Sequence, residues 1–299
     1  MRKTRMWKYY AFKVAGFSLS YLPRRVGYLG AIFIADVAYI FFPTVKAGVT
    51  DNMRHVFGTS VDDIILSKAV RGVLRTTVKN YLDLIKLPQM GLDDIEQNIS
   101  VQGWQHLTDA LDQKKGVVLV TAHLGSFDIA AQIFAIRSVK VTALVESLKP
   151  LPLRNHIIAL RESHGVTFVP GQPGTLESMM QLLRNGEAIL MACDRNIQGK
   201  GITSVFFGEE ATLPTVAVNM AMRTGAAIVP IFSHRGTDGN YIINVESAFN
   251  VIRGGNRAVA TNVAQVARIM ERHIRCHPEQ WVVLKPIWIK NKQETPVFT

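Results

Sequence analysis

The sequence predicts an α/β protein: a mostly parallel sheet flanked by helices, reached through a helical amino-terminal arm. Three observations carry this. The first hundred residues repeat their apolar positions at helical spacing. Beyond residue 101, short β-branched runs alternate with helical stretches, the pattern of strands joined by crossover helices. Apolar residues make up 48% of the chain, enough for a sheet buried on both faces.

Taken in order, Pro23 stands where a helix begins, and the apolar run VGYLGAIFIADVAYIFF (26–42) ends at Pro43. Residues 44–57 read as a second short helix stopped by Gly58. From Ser60 to Leu87, Ile64, Ile65, Val70, Val73 and Leu74 recur at three and four, and Pro88 closes the helix. Strand candidates follow: GVVLVTA (116–122), VTALVES (141–147), GVTFVP (165–170), EAILMACD (187–194), AAIVPIF (226–232) and YIINVESAF (241–249). Helices are expected near 126–136, 151–163, 174–185, 214–224 and 256–276. The turn from Gly236 to Asn240 makes its flanking strands an antiparallel hairpin. The chain contains neither repeats nor a long polar linker, so the division is a helical arm, 1–100, packed on an α/β core, 101–299.

Charged residues are only 19%, against roughly 25% in an average soluble domain. The net charge is +11, and the excess is concentrated. Arg2, Lys3, Arg5, Lys8, Lys13, Arg24 and Arg25 precede any acid and alternate with Trp7, Tyr9, Tyr10, Phe12, Phe17, Leu19, Tyr21 and Leu22. Cations interleaved with aromatic rings suit an anionic membrane surface better than nucleic acid. Residues 26–42 fall short of the roughly 20 apolar residues of a span and contain Asp36, so they read as a half-immersed or core-packed helix. A small-residue cleavage site does not follow, which argues against a signal peptide. Cys193 and Cys276 are the only cysteines; no disulfide framework is suggested, and a reducing compartment is permitted.

The chemically informative stretch is VLVTAHLGSFDIAAQ. An apolar strand delivers His123 to its carboxyl end, where open α/β sheets bind ligands. Gly125 allows a tight turn, and Ser126 or Asp128 begins the next helix. On one continuous helix His123 and Asp128 would diverge by about 140°. With the histidine in the loop, the carboxylate can fold back onto the imidazole, fix its tautomer and stabilise the imidazolium. The spacing equally allows a loop histidine and a capping aspartate that never meet, and alone it is a weak pattern. Ser126 lacks the G-x-S-x-G setting of a hydrolase nucleophile.

Further segments carry a resemblance. The arm SYLPRRVGYLGAIFIADVAYIFFP with NMRHVFG, then TAHLGSFD, ACDRN, SVFFGEEATLP, AMRTGAAIVPIF and PEQWVV, resembles the bacterial lipid A acyltransferases of the lauroyl and myristoyl type. Within that group the sequence is most similar to the phosphatidylinositol mannoside acyltransferases, over about Leu19 to Trp288. The FFG block after His-x4-Asp is more specific than either alone. One departure is local: the family often has Gly two residues beyond the Pro of its third block, where Pro214 here is followed by Thr215 and Val216.

The resemblance implies a glycerolipid acyltransferase-like fold. It also implies acyl transfer from a thioester of coenzyme A or acyl carrier protein to a hydroxyl of a lipid-anchored sugar. It implies no metal or redox cofactor, and a peripheral or monotopic protein at the cytoplasmic face of the cell membrane. His123 would deprotonate the acceptor, worth roughly 10² to 10⁴ in rate. Asp128 would orient the ring, and attack on the thioester would be direct, without an acyl-enzyme. Asp194, ending a strand, resembles a second acid of the site; it also fits an N-cap or an ion pair with Arg195. Arg161 matches an arginine that would grip a phosphate bidentately, or is a solvated helix residue. Arg195 and Arg223 are further candidates of that type, and Phe206, Phe207 and Gly208 would shape the pocket wall.

His273 and His277, with Cys276 between them, fit an ordinary helix end beside Arg272, Arg275 and Pro278 better than a metal site. His55, His106, His156, His164 and His234 have no partner spacing. The competing functions are a membrane-associated esterase or lipase, which would need Ser126 as nucleophile, and a non-catalytic lipid-binding protein, which would leave the His123 setting unexplained.

Overall fold

The described structure opens with four helices: α1 (Met6–Ser20), α2 (Arg24–Phe41), α3 (Pro43–Phe57) and α4 (Asp63–Lys86). The computed structural model describes residues 6–196 and 201–288. Arg2, Lys3 and Arg5 of the basic arm lie outside the described residues, as does the side chain of Lys8. Pro43 opens α3, where a residue without an N–H forfeits nothing. Asp62 caps α4 by accepting the N–H groups of Ile64 and Ile65.

The packing of α2 is inverted. Its buried residues are the small ones, Gly27, Ala31 and Ala35, while Leu29, Phe33, Ile40 and Phe41 stand in solvent. The small residues let α2 lie close on α4: a Cβ added at Gly27 would sit 2.7 Å from a Leu82 methyl. Asp36 is not stranded in the apolar run. Arg75 of α4 grips both its oxygens, at 3.0 and 2.7 Å, and holds its carboxyl below the usual range. At Phe42 the chain bends by 96° into α3, and no single described helix is long and apolar enough to cross a membrane.

The remaining elements are α5 (Leu92–Gln97), β1 (Ile99–Gln102), α6 (Trp104–Asp112), β2 (Val117–Thr121), α7 (Phe127–Ala130), α8 (Ile133–Ile136), β3 (Val141–Val145), α9 (Leu151–Arg161) and β4 (Thr167–Pro170). They continue through α10 (Thr175–Arg184), β5 (Ala188–Ala192), β6 (Gly201–Phe206), β7 (Glu209–Pro214), α11 (Val216–Thr224), β8 (Ala227–Arg235), β9 (Tyr241–Val245) and α12 (Asn256–Cys276).

Seven strands form one sheet in the order β1-β9-β8-β2-β5-β3-β4. The pairs from β8 to β4 are parallel, β9 runs antiparallel to β8, and β1 lies parallel to β9. The sheet is thus mostly parallel and flanked by helices, with the expected hairpin at one side. Successive residues of β2 enter opposite core layers: Val118 and Val120 one, Val117 and Leu119 the other. Both faces are therefore covered, which is why β2 is apolar without alternation.

Three local features depart from expectation. β1 is a strand that the sequence did not announce. The single helix expected at 126–136 is two short ones, because the side-chain amide of Gln132 takes the Asp128 carbonyl while its backbone N–H turns back to Ile129. And β6 and β7 form a separate hairpin whose turn residues, Phe207 (φ 52°) and Gly208 (φ 84°), are both left-handed.

Candidate active site

β2 and β5 are neighbours in parallel register, with Thr121 opposite Ala192. The residues just beyond both strands therefore emerge side by side at the carboxyl edge, and they are His123 and Asp194. The imidazole Nδ1 lies 2.8 Å from Asp194 Oδ1. Asp194 Oδ2 accepts the backbone N–H of His123 at 2.9 Å and the indole N–H of Trp281 at 2.8 Å. Asp194 is wholly buried. Burial alone would raise its carboxyl, but the His123 charge, both hydrogen bonds from His123 and the Trp281 donor together hold it at about 2. An ionised carboxylate at Nδ1 makes that nitrogen the donor and leaves Nε2 as the basic one. Nε2 has no partner among the described residues, and the ring is partly open to solvent.

The expected fold-back of Asp128 onto His123 does not occur. Nδ1 is already taken by Asp194, and the first turn of α7 aims Asp128 at the end of α9, where Arg161 Nε lies 2.7 Å from its Oδ1. The N–H is poorly aligned with that oxygen, so the contact is an ion pair more than a hydrogen bond. Burial raises the Asp128 carboxyl above its ordinary range, with Arg161 pulling the other way. Arg161 itself is not a solvated helix residue. Its side chain is largely buried, between the rings of Phe127 and Phe168 at 6.0 and 5.7 Å.

The loop carrying His123 is clamped from three sides. Gly125 is left-handed (φ 64°) and has no room for a Cβ against the backbone of Ser233 and His234. Its N–H donates to the Gln280 carbonyl at 3.0 Å, its carbonyl accepts from Asn80 at 2.6 Å, and Val282 donates to the His123 carbonyl at 2.8 Å. Ser126 Oγ is buried and donates to Asp83 at 3.1 Å, so its hydroxyl faces away from His123. Asp83 also accepts from Arg235 at 2.7 Å, Tyr28 at 2.7 Å and Tyr241 at 3.2 Å, and Arg24 reaches the Tyr241 hydroxyl. Helices α2 and α4 thus meet β8 and β9 beneath the loop that carries His123. Sequence reasoning missed Asn80, Asp83, Arg235 and Trp281. The available signal was two polar residues, Asn80 and Asp83, at core-facing positions of α4.

The other candidates fall outside this cluster. Arg195 pairs with Glu146 at 2.6 Å and not with Asp194. Arg223 ends α11, immediately before β8 enters the sheet at its amino edge beside Val117, so the whole strand length separates it from His123. Phe206 and Phe207 are buried behind the dyad, not open to it, in an aromatic box with Trp281 and Trp288. Gly208 only completes the hairpin turn. His273 bonds Glu246 at 2.7 Å and His277 stacks on His234 at 3.8 Å. Among the described residues no group of three or more His, Cys, Asp or Glu side chains is placed to hold a metal ion.

A histidine oriented by a buried carboxylate at the edge of a parallel sheet can serve as a general base. The phosphatidylinositol mannoside acyltransferase of Mycobacterium tuberculosis (strain CDC 1551 / Oshkosh) is 28% identical over 72% of this chain and 68% of its own. That of Mycolicibacterium smegmatis is 26% identical over 80% of this chain and 78% of its own. Residues 1–290 match the family described as bacterial lipid A biosynthesis acyltransferase. With that match spanning both the helical segment and the His123–Asp194 edge of the sheet, the chain belongs to this family and is an acyltransferase.

Proposed function

We propose that the protein moves a fatty acyl chain from a thioester of coenzyme A or acyl carrier protein to a hydroxyl of a membrane glycolipid, a phosphatidylinositol mannoside or a lipid A-like acceptor. The observation that carries the mechanism is the His123–Asp194 pair, in which Asp194 holds Nδ1 and leaves Nε2 to act. Nε2 takes the proton of the acceptor hydroxyl as that oxygen attacks the thioester carbonyl. The tetrahedral intermediate collapses, the C–S bond breaks, and the thiolate recovers the proton from the imidazolium. Asp194 stabilises the imidazolium between these steps. Each step is proton or acyl transfer between these groups and calls on no metal or redox cofactor. Arg161, held at Nε by Asp128, has its other guanidinium nitrogens to offer a phosphate of donor or acceptor.

The arm supports a membrane acceptor. Trp7, Tyr10, Val14 and Phe17 recur at three and four along α1, Tyr21 follows just beyond its end, all are well exposed, and α2 adds its outward Leu29 and Phe33. Such a face, beside the amino-terminal cations, suits peripheral or monotopic docking on the anionic cytoplasmic surface of a membrane.

The test is acyl transfer from palmitoyl-coenzyme A to detergent-dispersed phosphatidylinositol mannoside. His123→Ala should abolish it, and Asp194→Asn should lower kcat by roughly 10² to 10⁴ through the wrong tautomer. Ser126→Ala should keep activity and trap no acylated protein on rapid quenching. Full activity in either dyad variant, with a normal circular dichroism spectrum, would overturn the mechanism.

A further inference from the structure

We propose that Trp281 is a positioning residue of the dyad: its indole N–H locks the Asp194 carboxylate in the one orientation that makes His123 a base, and the hairpin turn at Phe206–Gly208 holds that indole in place. The proposal rests on the His123–Asp194 reading and extends it to a residue at the other end of the chain.

The carboxylate of Asp194 has two oxygens with different duties. Oδ1 receives the imidazole, and Oδ2 is anchored by two donors, the His123 backbone N–H and the Trp281 indole N–H. Remove the indole donor and Oδ2 keeps only one main-chain hydrogen bond, from the same residue whose ring Oδ1 must orient. Charge is affected as well as angle. A donor at Oδ2 draws off part of the negative charge that otherwise bears on the imidazole.

Trp281 is itself built into place. It is wholly buried, and its backbone bridges Leu124, next to His123. Its ring is boxed by Phe206, Phe207 and Trp288, with centroids 6.1, 5.9 and 6.4 Å away. The box is fastened at its corners. The Phe207 N–H donates to Glu271 at 2.7 Å, and the Trp288 indole donates to the Phe206 carbonyl at 3.2 Å. The left-handed backbone at Phe207 turns two consecutive phenylalanines into the same box instead of onto opposite faces of a strand. This gives the FFG turn a duty that a pocket wall would not have: it acts on the chemistry through Trp281.

The experiment compares three folded variants. Benzothienylalanine, which replaces the indole N–H by sulfur at nearly unchanged shape, is incorporated at position 281; Trp281→Phe is made beside it; and Trp288→Phe unties the box from the Phe206 carbonyl while keeping the Trp281 indole N–H. Two readouts are taken: the pH–rate profile with palmitoyl-coenzyme A and phosphatidylinositol mannoside, and the low-field proton NMR signal of the His123 Nδ1–H. Both position-281 variants should lose about tenfold or more in kcat with little change in KM. Their acid limb should move up by about half a pH unit, because less of the Asp194 charge is drawn off and the imidazolium is favoured. The NMR signal should shift or broaden. Trp288→Phe should move both readouts in the same direction but by less, and unmoved readouts there would remove the hairpin turn from the proposal. A folded benzothienyl variant with the wild-type profile and signal overturns the proposal. Should His123→Ala and Asp194→Asn retain full activity, the acyl-transfer mechanism fails by itself, and the NMR signal still decides whether Trp281 positions Asp194.

Discussion

Asp128 and Asp194 are both buried carboxylates near one histidine, and their surroundings send them opposite ways. Asp194, with three donors on two oxygens, is held at about 2, whereas burial pushes Asp128 up against the pull of a single arginine. Their replacements should separate accordingly. Asp128→Asn leaves Arg161 buried without its counter-charge, so it should cost about 3 kcal/mol of stability in urea unfolding and leave the acid limb of activity where it was. Arg161→Lys, which loses the planar fork, should raise KM for one substrate by about tenfold. An acid limb displaced by Asp128→Asn would return Asp128 to the imidazole. His123 and both acids were legible as residues, because His123 and Asp194 lie just beyond the ends of apolar strands and Asp128 opens the helix that follows His123. Which acid meets the ring was not. That depends on β5 lying against β2 in space although β3 and β4 come between them in the chain, and no spacing encodes strand order.

At the scale of elements, α2 shows the same division. Its apolar run and flanking prolines announce a helix, but a helix apolar on every side does not say which side faces in. The answer lies in size: Ala35 is 1% exposed and Phe33 is 71% exposed. The two faces should respond differently. Ala31→Leu should overpack the contact with α4 and cost about 1–3 kcal/mol by thermal unfolding. Leu29→Ser with Phe33→Ser should leave the melting temperature unchanged and reduce flotation with anionic vesicles several-fold. Unaltered flotation would move the docking surface elsewhere. The hairpin of β6 and β7 escaped notice for a different reason. Its turn is made by Phe207, and left-handed backbone is foreseen at Gly or Asn, not at an aromatic residue whose conformation is bought by its packing.

Across the whole molecule, three histidines meet where α12 ends against the sheet. Burial, then the neighbouring His277 and His273, lower His234 to about 4; burial also lowers His273 and His277. Around them stand Glu246, which bonds His273 and pairs with Arg272, and Glu279 beside His277. A histidine depressed in the folded state binds its proton more readily when unfolded. Its contribution is therefore complete above about pH 6.5 and lost as pH falls towards 4. The His234 ring is partly open to water, so the loss from it alone is about 1 kcal/mol. The melting temperature should fall over that window, and His234→Phe, which keeps a ring on His277, should flatten the fall. An identical slope in that variant would place the acid sensitivity in other groups.

The candidate active site is assembled from three distant stretches of chain. His123 finds Asp194 71 residues on, and Asp194 finds Trp281 a further 87 residues on. Closing loops of that size is slow, and the hydrogen bond that fixes the imidazole tautomer is not local. During synthesis, α1 and α2 with their apolar outer faces leave the ribosome long before residues 277–283 do. A chain with α1 and α2 already made thus has no imidazole held by Asp194 and Trp281 until residues 277–283 have docked. Under the proposed mechanism, activity therefore reports completed folding: a nascent or half-folded chain is chemically silent.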